Sequence, residues 1–221
     1  MTGNSRAVRV AVVEDHSLFR SMLESTLSAA DGIRLVASSP DVTDARARIR
    51  PGTVDVALLD VELPDGNGVG LGVQLRRADP RLRIVLLSAE DVMDLLLDLP
   101  DDVAGDWSYL SKTSTSDAAA LVTAIRRAAA GGTTLDPTLL ARYRPRAGTP
   151  ISRLTDRQYA VLRLLAEGLS NAGIGARLGI AEKSVQNHVN AIYATLGIDA
   201  SPERNPRVTA ALHLLDQTAR S

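Results

Sequence analysis

At 221 residues and 23.4 kDa, with a hydrophobic fraction of 45%, a charged fraction of 23% and a mean hydropathy of +0.01, the chain fits two globular domains of ordinary size. That composition excludes disorder throughout, and the absence of cysteine excludes disulfides, thiolate zinc sites and a cysteine nucleophile. Net charge is −1 overall, but residues 1–132 hold 14 Arg+Lys against 19 Asp+Glu, whereas residues 133–221 hold 11 against 7. An acidic first half suits a cation site, and a basic second half points weakly to a polyanion such as nucleic acid.

The longest apolar runs, VRVAVV and DVALLDV, fall far short of the ~20 residues that cross a bilayer. Two carboxylates, Glu14 and Asp15, interrupt the N-terminal segment before any signal-type apolar core is complete. A cytoplasmic protein without a membrane partner is expected.

Through about residue 131, short β-branched apolar runs alternate with helical patterns, the arrangement of βα units in a parallel sheet. Five strands are expected, at Arg9–Glu14, Ile33–Ser38, Val54–Asp60, Arg83–Ser88 and Ser108–Lys112, each near-continuously apolar as strands covered on both faces are. Helices are expected near 17–30, 41–50, 69–78, 90–98 and 114–130, the last stopping at Gly131-Gly132. From 133 to 150 the pattern weakens into a proline- and arginine-rich stretch, read as a linker. A helical domain follows over 151–221, opened by Thr155 and Gln158 at capping-box spacing, with helices near 155–167, 170–178, 181–196 and 206–219. The fold class is therefore α/β, a doubly wound five-stranded parallel domain over 1–132, followed by an all-α domain.

In a doubly wound sheet the functional crevice lies outside the carboxyl ends of the strands. Those ends carry Glu14-Asp15, Asp60, Ser88 and Lys112, so three carboxylates, a hydroxyl and an ammonium converge on one edge. Clustered carboxylates repel unless a hard cation lies between them, and oxygen ligands with open positions suit Mg²⁺. Asp60 is then placed to attack a phosphoryl donor as a carboxylate nucleophile, with Lys112 neutralising charge and Ser88 bonding a phosphoryl oxygen. Lysine at 112 is informative, because the chain has two lysines, Lys112 and Lys183, against 23 arginines.

VVEDH, LLDVELPDGNG, LLSAED and SYLSK, in that order, resemble the receiver domain of two-component response regulators, whose fold is flavodoxin-like. The resemblance implies Asp60 as phosphoacceptor, Glu14, Asp15, Asp60 and the main-chain carbonyl of Glu62 as Mg²⁺ ligands, and Ser88 and Lys112 as phosphate-sensing groups. It also implies Tyr109 as the aromatic switch, against the plainer reading of a half-buried strand aromatic. The stretch between Ser88 and Lys112 departs from the family, being more acidic and lacking the usual Gly-Ala loop before the tyrosine.

In the second half, Val185, Val189, Ile192 and Leu196 form one helical stripe that faces a core. The opposite face presents Lys183, Gln186, Asn187 and Asn190, side chains able to pair with base edges or phosphates in a major groove. LSNAGIGARLGIAEKSVQNHVNAIYATLGI resembles the helix-turn-helix of the NarL/FixJ, or LuxR-type, regulators. By position the resemblance implies that Ser170 and Asn171 open the scaffold helix, that 181–196 is the recognition helix, and that Ser184 is a phosphate contact. Many relatives have lysines where this chain has Gln186, Asn190 and Thr195, so weaker binding with a shallower salt dependence is expected. Arg177, Arg204 and Arg207 are candidate phosphate contacts that restore part of it.

These features together imply a DNA-binding transcription regulator rather than an enzyme, switched by Mg²⁺-dependent phosphorylation of Asp60 from a sensor histidine kinase and acting as a homodimer on double-stranded DNA half-sites. Val208, Ala211, Leu212 and Leu215 on the last helix are either a dimer face or part of their own domain's core. Two alternatives remain: a phosphorylation-independent DNA-binding dimer, and a phosphohydrolase with an aspartyl nucleophile. The order of the acidic motifs along the chain argues against the second.

Overall fold

The computed structural model describes residues 6–89, 99–100, 102–103, 107–113, 115, 117–137, 143–199 and 205–220. The expected helix near 90–98 and Arg204 lie outside these residues. The chain divides into two compact units, Met1–Gly131 and Gly132–Ser221.

The first unit is built on five parallel strands, β1 (Val8–Val13), β2 (Ile33–Ser39), β3 (Val56–Asp60), β4 (Arg83–Ser88) and β5 (Trp107–Ser111), in the order β2-β1-β3-β4-β5. The order reverses between β1 and β3, so the crevice at their carboxyl ends is the topological switch point. Among the described residues, four helices flank the sheet, α1 (Ser17–Ser28), α2 (Val42–Arg48), α3 (Gly68–Ala78) and α4 (Ala118–Ala129). Every residue of β3 is buried, because both faces of the sheet are covered. Alternate residues serve opposite faces: Val10, Val12, Val56, Leu58, Val85 and Leu87 join Leu23 and Leu27 of α1 and Leu121 and Ile125 of α4 in one core cluster.

Helix starts are set by side-chain caps. His16 Nδ1 accepts from Phe19 N at 3.3 Å, Asn67 Oδ1 from Val69 N at 2.7 Å, and Asp117 Oδ1 from Ala119 N at 2.9 Å. The Asp117 cap holds α4 to Ala118, four residues later than the sequence pattern suggests. The helix ends at Ala129 with Ala130 as its C-cap, and Gly131 at φ 78° is the left-handed residue that follows.

The second unit contains α5 (Asp156–Ala166), α6 (Asn171–Leu178), α7 (Glu182–Leu196) and α8 (Pro206–Asp216). The Thr155–Gln158 capping box forms as the sequence predicts. Ile174, Val185, Val189, Ile192, Val208 and Leu215 are all buried in this unit.

Segment 133–150, read from sequence as a linker, belongs to this second unit where it is described. Leu135 is buried and donates its N–H to Ala166 O at 3.0 Å. Tyr143–Pro145 (β6) pairs antiparallel with Thr218–Arg220 (β7), so α8 ends at Asp216 and the helical unit also carries a two-stranded ladder. No local period announces this ladder, because its partners lie more than 70 residues apart.

Candidate functional site

β1 ends at Val13, and the next residue, Glu14, is fully buried, its N–H held by Ser39 O of β2 at 3.0 Å. Asp60 closes β3 and is 3% exposed, with Oδ1 accepting from Glu62 N at 3.3 Å. One residue past β5, the Lys112 N–H is held by Ser88 O at 2.8 Å, which aims its side chain back across the sheet edge. Lys112 Nζ donates to Asp60 Oδ2 at 2.7 Å and to Glu14 Oε1 at 2.9 Å. Glu14, Asp15 and Asp60 each offer a carboxylate oxygen, and these atoms lie within 4.8 Å of one another.

The electrostatics follow from this geometry. Burial pushes the Glu14 carboxyl above its ordinary range and the Asp60 charge adds to that, while the hydrogen bond from Lys112 opposes it. Burial alone would lower the Lys112 ammonium, but its hydrogen bonds to Asp60 and Glu14 outweigh that and hold it above its ordinary value. One ammonium therefore serves two buried carboxylates, with Asp15 exposed beside them. Glu14 Oε2 lies 2.9 Å from Nζ without hydrogen-bond geometry and is buried with no donor. An orphaned carboxylate oxygen in an all-oxygen cluster is the environment a hard divalent cation satisfies, so the residues fit Mg²⁺.

Ser88 is buried at the end of β4, in register with Ser111 of β5. Tyr109, 1% exposed, is more deeply enclosed than a half-buried strand aromatic. Glu62, two residues after Asp60, is exposed.

Several residues of the site escape sequence reasoning. Arg20 Nη1 donates to the carbonyl of Glu14 at 2.6 Å, bracing the acidic turn from α1. Phe19 lies with its ring centroid 5.2 Å from Lys112 Nζ, a cation–π contact, and Thr115 Oγ1 donates to Lys112 O at 2.7 Å. Leu18 is 76% exposed and lines an open cavity of about 520 Å³ with His16, Phe19, Met22 and Lys112. Gly68 is required by close approach, since a Cβ there would lie 1.9 Å from Asp60 O. Phe19 carries a weak signal as the chain's one phenylalanine, but Arg20 and Thr115 act through backbone carbonyls that sequence does not mark.

In the second unit, Ser170 caps α6 through Gly173 N at 3.2 Å, and Gly179 at φ 65° ends that helix before the turn into α7. Gly175 lets the turn close: a Cβ there would meet Ile180 O at 2.7 Å. The stripe Val185, Val189, Ile192 and Leu196 is buried, which leaves Lys183, Gln186, Asn187 and Asn190 exposed and Ser184 and Asn171 half-buried. Arg177 is exposed and Arg207 is half-buried. Its guanidinium donates to Asn171 Oδ1 at 3.0 Å and to Leu169 O at 2.5 Å. Of the α8 stripe, Val208, Ala211 and Leu215 are buried in their own unit, and Leu212 is half-buried. Val208, Ala211 and Leu215 therefore serve their own core.

Fold and site define a doubly wound α/β domain with an acidic, lysine-bridged pocket at its switch point, joined to a helix-turn-helix domain with a polar second helix. Residues 10–126 match the response regulator receiver domain, and residues 152–203 match the luxR family of bacterial regulatory proteins. The chain is 36% identical over 198 residues to the DNA-binding transcriptional activator DevR/DosR of Mycobacterium tuberculosis, covering 87% of this chain and 89% of that one. It is 31% identical over 214 residues to the nitrate/nitrite response regulator NarP of Escherichia coli, covering 95% of each. The crystal structure of ChrA, a response regulator of a heme-sensing two-component system, superposes with a TM-score of 0.50 at 28% identity, covering 96% of this chain and 98% of that one. The chain belongs to the two-component response regulators that join a receiver to a LuxR-type helix-turn-helix domain, a class of DNA-binding transcription regulators rather than enzymes. The phosphohydrolase alternative is thereby set aside. No helix among the described residues is long and apolar enough to cross a membrane.

Proposed function

We propose that the chain is switched by phosphorylation of Asp60, received from a sensor histidine kinase or a small acyl phosphate, and that its phosphorylated dimer binds two half-sites on double-stranded DNA in the cytoplasm. The observation that carries this reading is the Lys112 ammonium held between two buried carboxylates, 2.7 Å from Asp60 and 2.9 Å from Glu14. Such an arrangement does little for stability and much for a reaction that adds negative charge beside it.

A carboxylate oxygen of Asp60 attacks phosphorus, and the donor's bond to phosphorus breaks with the electron pair leaving on the donor. Lys112 then turns from the carboxylate to the new phosphoryl oxygens, and Ser88 donates its hydroxyl to one of them. Glu14, Asp15, Asp60 and the Glu62 carbonyl would hold Mg²⁺, which when bound screens the repulsion between the carboxylates and the incoming phosphoryl group. The exposed Leu18, beside the pocket, gives the phosphodonor protein an apolar foothold next to the acceptor.

Recruitment of Ser88 and Lys112 biases the receiver toward a second arrangement, with Tyr109 as the aromatic whose packing changes, and that shift favours the dimer. Lys183, Gln186, Asn187 and Asn190 meet base edges and phosphates in the major groove, with Ser170, Asn171, Ser184 and Arg177 along the backbone. Two such helices reach half-sites about one DNA turn apart.

The test is intact-protein mass after incubation with Mg²⁺ and acetyl phosphate, beside Asp60→Asn. One phosphoryl group on the wild type alone is expected, with DNA affinity rising on phosphorylation. No adduct with either acetyl phosphate or a phosphorylated kinase panel, together with unchanged DNA binding, would favour a phosphorylation-independent dimer.

A further inference from the structure

We propose that Arg207 is a positioning residue that fixes the hydrogen-bond polarity of the DNA-reading face, acting through Asn171. The inference rests on the reading of α7 as the groove helix. A chain of side chains crosses three helices: Arg207 Nη1 donates to Asn171 Oδ1 at 3.0 Å, Asn171 Nδ2 to Gln186 Oε1 at 2.7 Å, and Gln186 Nε2 to Asn190 Oδ1 at 2.8 Å.

Taken alone, the three amides could be flipped together with no change in the number of hydrogen bonds between them, because each offers a donor and an acceptor end. The guanidinium breaks this symmetry. It has five donors and no acceptor, so Asn171 must turn its oxygen toward Arg207 and its NH₂ toward Gln186. Gln186 must then turn its NH₂ toward Asn190, and the chain ends on Asn190 Nδ2, a donor. Reversal would set the Asn171 NH₂ against the guanidinium, donor facing donor.

Arg207 is held in turn. It is half-buried, and its second bond, to Leu169 O, ties it to the turn before α6. Gln186 and Asn190 are both exposed, so the polarity fixed from α8 is displayed at the surface. A donor at the end of the chain favours bases that present an acceptor in the major groove, N7 and O6 of guanine, N7 of adenine or O4 of thymine. Cytosine, which offers only its N4 donor, is disfavoured at the position that Asn190 contacts.

The experiment is half-site selection from a randomised duplex pool by the full-length phosphorylated protein, with three variants. Arg207→Met removes the polarising donor and is expected to flatten preference at the Asn190 position about fivefold, the low end for one base contact. Arg207→Lys keeps a donor toward Asn171 and is expected to retain the wild-type profile. Asn171→Asp offers only acceptors, so Gln186 turns its NH₂ to residue 171, the exposed end of Asn190 becomes its oxygen, and preference moves toward cytosine or adenine. A purely structural tie between α8 and α6 would weaken binding to all sequences alike without altering the profile.

A second readout needs no DNA: the Gln186 side-chain amide protons, observed by ¹⁵N NMR of the full chain, are expected to shift in Arg207→Met and Asn171→Asp but not in Arg207→Lys. Unchanged Gln186 signals in every variant, or a base profile that ignores all three, would overturn the inference. If the wild type selects no sequence while the Gln186 signals respond as stated, the groove reading fails and the polarity assignment stands.

Discussion

At the edge of the sheet opposite the acidic pocket, Arg9 and Asp55 form a pair whose removal tests the energetics of the first unit. Asp55 Oδ2 accepts from Arg9 N at 2.8 Å and Arg9 Nε at 3.0 Å, and Oδ1 accepts from Nη2 at 2.6 Å. Charge-assisted bonds are each worth ~1.5–3 kcal/mol when shielded. The side chains here are 14% and 32% exposed, and solvent screening brings the whole set to about 2 kcal/mol. Arg9 also donates to Gly52 O, so Asp55→Asn does not strand the guanidinium. The expected loss is therefore about 1–2 kcal/mol near pH 7.

The hydrogen bond from the Arg9 side chain holds the Asp55 carboxyl below its ordinary value of 3.8, burial opposing. A depressed carboxyl binds its proton less readily when folded than when unfolded, so its stabilisation is fully present above the unfolded value. It fades as pH falls below 3.8 and through the folded value. The chain's one tryptophan, Trp107, is buried in this unit, so urea unfolding followed by tryptophan fluorescence reports on it selectively. The wild-type advantage over Asp55→Asn is expected to shrink as pH drops below 4. An advantage under about 0.5 kcal/mol at pH 7, or one that does not change with acid, would refute the argument.

Two further outcomes are expected. Gly72→Ala would set a Cβ 2.5 Å from the Trp107 ring, which is pinned by its N–H bond to Val103 O at 2.6 Å, so despite better helix propensity the variant is expected to lose about 1–2 kcal/mol in the same fluorescence assay. An equally stable variant would show that the ring yields. For DNA binding, Gln186→Lys adds one cation to the reading face and is expected to steepen the log–log salt slope by about 1. A wild-type slope already as steep as that of the variant would count against the low-charge reading.

Where an element depends on near neighbours, the sequence made it legible. All five parallel strands were visible as apolar runs, and β4 falls on its expected bounds. The capping box at Thr155, the glycine after α4 and the stripe from Val185 to Leu196 are likewise patterns set within a turn or two of helix. Less legible were the start of α4, where the Asp117 cap overrides a longer helical pattern, and the ladder of Tyr143–Pro145 with Thr218–Arg220. Neither partner of that ladder has a strand period, and each becomes a strand only against the other.

The class of fold, the two-part organisation and the residues that gather at the strand ends follow from the order of residues along the chain, because alternating βα units leave one edge at which those ends can meet. Tertiary structure alone decided how they engage. Lys112 reaches Glu14 across 98 positions and Asp60 across 52, and the unsatisfied oxygen of Glu14 exists only once both carboxylates are buried together. The hydrogen bond from Arg207 to Asn171, 36 positions away, has the same origin. A guanidinium and an amide are each polar and unremarkable in sequence. Which atom faces which is set by helix packing.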